Sequence, residues 1–488
     1  MKNRLLNFVI AYILILLILL LYQNYVVKKR VQNVKEGNKE EIVPKKEEVE
    51  IVQNKEEGEN VKEILFENEK LKVTFENING SIKNIFIKDY NVNLSGKDII
   101  LKTSFVKGAK RIIKDIPFNY EIKGDTVRFF FKDSIEYEKM YIFNNGYSIK
   151  LIQKPELEYY YTVLRFETDE KHSDKDRFNG AVYSLARKVF TIQDRGFLKQ
   201  ESKAILGIVD WAGYKTKYFF FGVIPEETGE ELIIEKIYDN AGITLRYKNE
   251  VTLYAGPLEY YTLRSVKIGL EDAIYFGASW LRPIAKLIFF FITFLHKYIP
   301  NYGVVIIILT IVLTIILSPI NIISYKSMKT MKDIQPKIQE LQRKYKDDPK
   351  TLNIEMMELY RKSGVNPFSG CFPLLLQIPI FFSLYAVLSS TIELKGAHFI
   401  FWIKDLSAKD PFYVLPILMG ITMFLQQKFF TPQTGSGSQE QQKMMTYIMP
   451  VLFTFIFLNF PSGLTLYWLL YNILSMLLQY LIKKQVGG

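Results

Sequence analysis

Cysteine is almost absent from this chain: Cys371 is the only one in 488 residues, and it lies within an apolar run. A lone cysteine excludes any disulfide within one chain, even for a part that is exported. Histidine is nearly as scarce. His172, His296 and His398 are scattered, so no spacing of the HExxH kind exists and no metal site of that type is expected. The apolar runs after Gly303 hold almost no ionisable residue, and no arginine or lysine occurs from Val304 to Tyr325. Proton and ion pumps need such groups in the membrane, and their absence argues against that class. Gly/Pro-broken helices in repeated positions and an inverted repeat are lacking too, which leaves a transporter or channel as the alternative reading. No paired carboxylates and no nucleophile with its base stand out from surface charge. A membrane-anchored enzyme therefore ranks third, and no cofactor is expected.

What is present falls into two zones. The chain is 49% hydrophobic and 15% aromatic with a formal charge of +12, a mixture that fits neither a purely soluble enzyme nor an all-membrane bundle. Much of the positive excess flanks the apolar runs, where basic residues face the cytoplasm and anionic lipid; no nucleic-acid site is inferred. Residues 1–25 read as an uncleaved signal-anchor, because Leu5 to Tyr22 is long enough to cross a bilayer and no small-residue cleavage site follows. Residues 26–63, rich in Lys, Glu, Asn and Val, read as a disordered tether. From 64 to about 270 the period becomes two. Leu71, Val73 and Phe75 alternate with Lys72, Thr74 and Glu76, and Asn145-Gly146 joins two aromatic-rich strands, so a large all-β domain is expected with its aromatic residues in the core.

Residues 271–300 form a linker ending in Ile284 to Leu295, an apolar run too short for a span and suited to a helix lying in the interface. Laid flat, it leaves the ten lysines and arginines between Lys326 and Lys362 in the cytoplasm, in a hairpin (326–363) of two amphipathic helices that turn at Asp347-Asp348-Pro349. Spans are then expected at Tyr302 to Tyr325, Phe368 to Ser390, Phe412 to Phe429, Met444 to Phe460 and Leu464 to Ile482. With the anchor they make six, with both termini inside. The loop from Thr391 to Asp410 falls outside, where Ser407 would be open to an external reagent.

Several motifs in order carry a resemblance: Gln335-Pro336-Lys337-Ile338-Gln339, Val365-Asn366-Pro367-Phe368-Ser369-Gly370-Cys371-Phe372-Pro373, Phe401-Trp402-Ile403-Lys404-Asp405-Leu406-Ser407, Leu415-Pro416-Ile417-Leu418-Met419-Gly420 and Phe460-Pro461-Ser462-Gly463-Leu464. They resemble the successive signatures of the YidC branch of the Oxa superfamily of membrane protein insertases, over about Trp280 to Lys484. The β domain matches in position and pattern only. The resemblance implies a bundle of six transmembrane helices, five of them (within 301–488) forming the core, plus a large periplasmic β-sandwich. It implies insertion and folding of newly made inner-membrane proteins through a hydrophilic groove, alone or beside the Sec translocon, with nascent chains, the bilayer and possible ribosome and signal-recognition contacts as partners. Both termini would be cytoplasmic and residues 26–300 periplasmic.

The first core helix offers a groove on its own terms. Thr310, Thr314, Ser318, Asn321 and Tyr325 fall within roughly an 80° arc at 100° per residue, the mark of one polar face. Ser and Thr also bond their own i−4 carbonyls, so the stripe is open to both readings. Gln377, Gln426 and Gln427 could add polarity from other helices. By resemblance Thr310 matches a threonine important for activity, Phe381, Met419 and Ile456 would touch a passing span, and Trp468, beside Tyr467, takes a substrate-contacting aromatic position. The position of the family's groove arginine, counted back from Ser318-Pro319, is Thr314. Ten of the 12 methionines follow Tyr325, and flexible thioethers suit a surface that meets many apolar sequences.

Overall fold

The computed structural model describes residues 50–51 and 61–486 apart from 97–98, 108–109, 114–115, 133–135, 170–177, 194–202, 238–239, 365–371 and 430–443. The expected signal-anchor and the Val365 to Cys371 motif lie outside these residues. Within the stretch expected to be a tether, Glu50–Ile51 pairs in parallel with Ile112 and Ile113, so that segment is not wholly without structure.

From Glu63 to Pro257 the chain is β. The strand Leu71–Glu76 buries Leu71, Val73 and Phe75 completely and leaves their neighbours outward, as period-two patterning dictates. One antiparallel run links Asn119–Lys123, Thr126–Lys132, Glu136–Phe143, Ser148–Lys154, Glu250–Pro257, Phe219–Ile224 and Lys203–Lys215. Another joins Gly229–Ile237, Asn240–Tyr247, Tyr159–Leu164 and Leu101–Lys107, and through Ser81–Ile87 reaches Leu71–Glu76 and Glu63–Glu67. The long strand Lys203–Lys215, bulged between Leu206 and Val209, pairs into both. Ring contacts of Phe75 with Phe129 and Tyr141 (5.5 and 4.8 Å) and of Phe66 with Phe143 (4.2 Å) show that the two runs face each other across one core.

Nine helical segments follow among the described residues: α1 (Tyr260–Val266), α2 (Arg282–His296), α3 (Tyr302–Asp333), α4 (Gln335–Lys344), α5 (Pro349–Lys362), α6 (Phe372–Ser390), α7 (Val414–Phe429), a π turn (Met444–Ile448) leading into α8 (Met449–Phe457), and α9 (Ser462–Val486). By length and composition α3 and α9 are long and apolar enough to cross a membrane; α6, α7 and α8 are shorter apolar helices. The first hairpin helix does not begin afresh at Met328. The span's helix continues to Asp333, and only Ile334 separates it from α4, because nothing between Tyr325 and Asp333 disfavours helix. The second begins at Asp348, whose carboxylate accepts from the Lys350 and Thr351 amides, with Pro349 at the first helical position. Met331, Ile334, Ile338 and Tyr360 give the hairpin a small core of its own.

Helix α2 buries Ala285, Ile288, Phe289 and Ile292, while Leu287 and Phe294 stay exposed. It packs on α6 and α3. Helices α7 and α8 approach closely at a glycine: a Cβ on Gly420 would stand 2.0 Å from Thr454 Oγ1.

Candidate functional site

The predicted polar stripe of α3 is present, but its hydroxyls are engaged. Thr310 and Thr314 are both buried; Thr310 Oγ1 donates to the Ile306 carbonyl (2.6 Å) and Thr314 Oγ1 to the Thr310 carbonyl (2.8 Å). Ser318 Oγ donates to the Ile315 carbonyl at 2.8 Å. That carbonyl would normally receive the amide of residue 319, and Pro319 has none. Ser318 thus repairs the gap its neighbour makes. Thr310 and Thr314 are thus closed off within the protein, whereas the hydrogen bond of the Ser318 hydroxyl is exposed.

Free polarity lies on the other helices. Gln377 of α6 is buried, with Nε2 donating to Tyr467 Oη of α9 at 2.8 Å and Oε1 sealed from solvent without a partner. Ser383 Oγ, Gln427 Oε1 and Gln479 Oε1 are likewise buried and without a partner among the described residues. Ser383 and Gln479 were missed by sequence reasoning. A serine six residues past Gln377 and a glutamine in the last helix carry no periodic signal, and only packing sets them apart from ordinary membrane polar residues.

The aromatic candidates come together. Phe381 meets Trp468 edge-on (5.2 Å) and lies 6.0 Å from Phe457, and Trp468 contacts Phe453 and Phe457. Tyr467 is fully buried and stacks near Tyr471 (6.2 Å). Met419 is buried in the same cluster, where Asn472 Nδ2 reaches its carbonyl at 3.4 Å. Ile456 stands apart, 45% exposed on α8, and Gln427 sits in the last turn of α7.

On the opposite side the motifs lock together. Asp410 is buried and accepts from Trp402 Nε1 (3.0 Å), from the Phe412 amide (3.0 Å) and from the Leu415 amide at the start of α7 (2.7 Å). The amides of Ser462 and Gly463 donate to the carbonyls of Ala408 (2.7 Å) and Leu406 (2.9 Å), tying the Phe460-Pro461-Ser462-Gly463 turn to the Phe401 to Ser407 loop. Ser407 is not open as expected: it is buried, its amide and hydroxyl held by Asp405, and Tyr218 of the β domain donates to it at 3.1 Å. No group of three or more His, Cys, Asp or Glu that could hold a metal occurs among the described residues.

Residues 294–487 match the family described as 60Kd inner membrane protein, and residues 125–291 match the YidC periplasmic domain. A protein of Syntrophus aciditrophicus named membrane protein insertase YidC is 41% identical over 72% of this chain and 67% of its own length. Its namesake in Geotalea daltonii is 34% identical over 87% of each. The chain belongs to the YidC family of membrane protein insertases. A crystal structure of an active YidC insertase with its first transmembrane domain resolved overlaps 87% of this chain and 93% of its own at 18% identity and a TM-score of 0.42, a likeness that bears no weight here. Family membership gives the two zones their sides: helices in the inner membrane and the sheet in the periplasm.

Proposed function

We propose that this protein inserts newly made membrane proteins into the inner membrane, as its relatives are named for doing, and assists their folding. The observation that carries the mechanism is the set of buried, unpartnered polar atoms on α6, α7 and α9: Gln377 Oε1, Ser383 Oγ, Gln427 Oε1 and Gln479 Oε1. In hydrocarbon each such group costs several kcal/mol unless something bonds to it. Water or the polar segment of a passing chain meets that need, so the interior lowers the cost of dragging a polar tail partway across. The aromatic group of Phe381, Tyr467 and Trp468 offers the emerging span a packing surface, with Met419 and Ile456 beside it. No arginine or lysine stands from Val304 to Tyr325 in the first core helix; the groove therefore acts through hydrogen bonding and hydration, with Thr314 at the family's arginine position.

In this reading six helices span the membrane, five forming the core, both termini are cytoplasmic, and residues 26–300 are periplasmic. The segments are 1–25 as anchor, 26–63 as tether, 64–270 as β domain, 271–300 as linker and interfacial helix, and 301–488 as core. The basic hairpin faces ribosomes and signal-recognition machinery, and the Sec translocon is a partner. Photocrosslinkers at Phe381 and Trp468 test the reading. Adducts with a stalled nascent chain are expected; adducts with small solutes alone would favour a transporter.

A further inference from the structure

The β domain and the bundle meet at a three-residue turn, Ile392–Leu394, just beyond α6. Its flanking residues belong to different clusters: Ile392 packs into the sheet's own core, and Leu394 into the joint cluster where Val182, Trp211, Phe220 and Tyr254 of the sheet meet the membrane helices. Between them stands Glu393, whose two carboxylate oxygens are both sealed from solvent; the backbone amides of Glu393 and Tyr260 favour its charged form but do not outweigh that burial. An ionisable group so placed has no role in packing, and apolar residues would fill the turn at no desolvation cost.

The groups around it offer no compensating positive charge. Glu259, at the exit of the last strand, is a second carboxylate close enough to repel it. Tyr90 comes from the sheet side and Tyr302 from the start of α3, and both sense Glu393 and Glu259. His296, at the end of α2, stacks on Tyr302 at 3.7 Å, and burial holds its imidazole below its ordinary value, towards the neutral form. Lys395, the nearest cation in sequence, directs its ammonium over the rings of Tyr90, Tyr218 and Phe219 at 5.0 to 5.7 Å, with Asp405 and Asp169 as its charged neighbours.

We propose that Glu393 is a pH-governed latch between the periplasmic domain and the membrane bundle: uncharged, it lets the two cores close on the turn, and ionised it loosens them. Burial, with Glu259 adding to it, pushes the carboxyl up from the ordinary range to about 7. A freed Glu393 would titrate as an ordinary glutamate. Docking is therefore strongest below the ordinary carboxylate range, weakens as pH rises towards about 7, and is constant above that. The contacts at stake are Tyr218 with Ser407 (3.1 Å) and Ile392 in the sheet core. Because Ser407 belongs to the loop that is tied to the Phe460 turn, loosening reaches the outer end of the bundle.

The test uses the full chain in nanodiscs, with spin labels on cysteines replacing Lys123 of the sheet and Lys404 of the outer loop in a Cys371→Ser background. Pulsed EPR should give one narrow distance at pH 5 and a growing second component towards pH 8, the docking ratio falling about tenfold per pH unit between about 5 and 7. Glu393→Gln should keep the narrow distance throughout, with an unfolding temperature at pH 5 equal to that of the parent. Identical distributions at pH 5 and 8 in the parent, or the same response in Glu393→Gln, would overturn the latch.

Discussion

The two halves of this molecule differ in how many buried polar atoms they leave unmatched. In the β domain they are nearly all matched: Thr162 and Thr244 share a hydroxyl bond at 2.8 Å, Lys215 Nζ donates to the Ala273 carbonyl at 2.6 Å, and Glu138 holds both Arg128 and Lys154. Gln153 is the exception, its amide unpartnered. In the bundle most hydroxyls are bonded too, yet several buried polar atoms on α6, α7 and α9 lack partners among the described residues although the surrounding solvent is lipid. A water-facing domain can tolerate a loose polar group near its surface, whereas a membrane bundle cannot. Leftover polarity in the bundle therefore marks function, and matched polarity in the sheet marks stability.

The contrast is tested most severely by removing parts of each half. Deleting residues 64–265 should leave insertion largely intact, whereas deleting α2 should abolish it. Ile288, Phe289 and Ile292 of α2 each contribute about 1.5–3 kcal/mol by burial at the membrane surface. Insertion assays on both deletions decide this, and equal damage would break the division of labour.

Single substitutions should differ in kind. Thr162→Val strands part of a matched pair and should destabilise the sheet by about 1–3 kcal/mol in denaturant unfolding. Ser383→Ala removes an orphan hydroxyl of α6 without stranding a neighbour, so the bundle's unfolding temperature should hold or rise.

Thiol labelling gives a smaller but sharper readout. A cysteine replacing the exposed Lys404 should react with an impermeant reagent from outside. One replacing the buried Ser407 should react slowly, and faster once the β domain is deleted. One at Asp347 should be shielded; labelling there from outside would overturn the proposed topology.

The least effect is expected from Thr310→Val with Thr314→Val. Both hydroxyls already serve their own helix, so insertion of polar and apolar tails alike should stay within about twofold. A large loss for polar tails would return the wet face to α3.

Much of this was legible beforehand. The alternation around Leu71, Val73 and Phe75, the apolar runs and the Asp348 turn state their periods or caps openly in sequence. The rest depends on what meets what. Thr314 reads as groove-facing by angle, but its hydroxyl direction is a choice between backbone and cavity that periodicity cannot make. Ser407 reads as an exposed loop residue because the Tyr218 that covers it lies 189 positions away. Glu393 looks like an ordinary surface acid until two cores close around it.

The central claim is that unpartnered polar atoms inside the bundle ease polar segments across the membrane. The most direct measurement is reconstituted insertion by Ser383→Ala of two substrates that share one span and differ only in a polar or an apolar translocated tail. Slower insertion of the polar tail with the apolar one spared, in a protein as stable as the parent, is the predicted result. Equal rates for both tails, matching the parent, would contradict it.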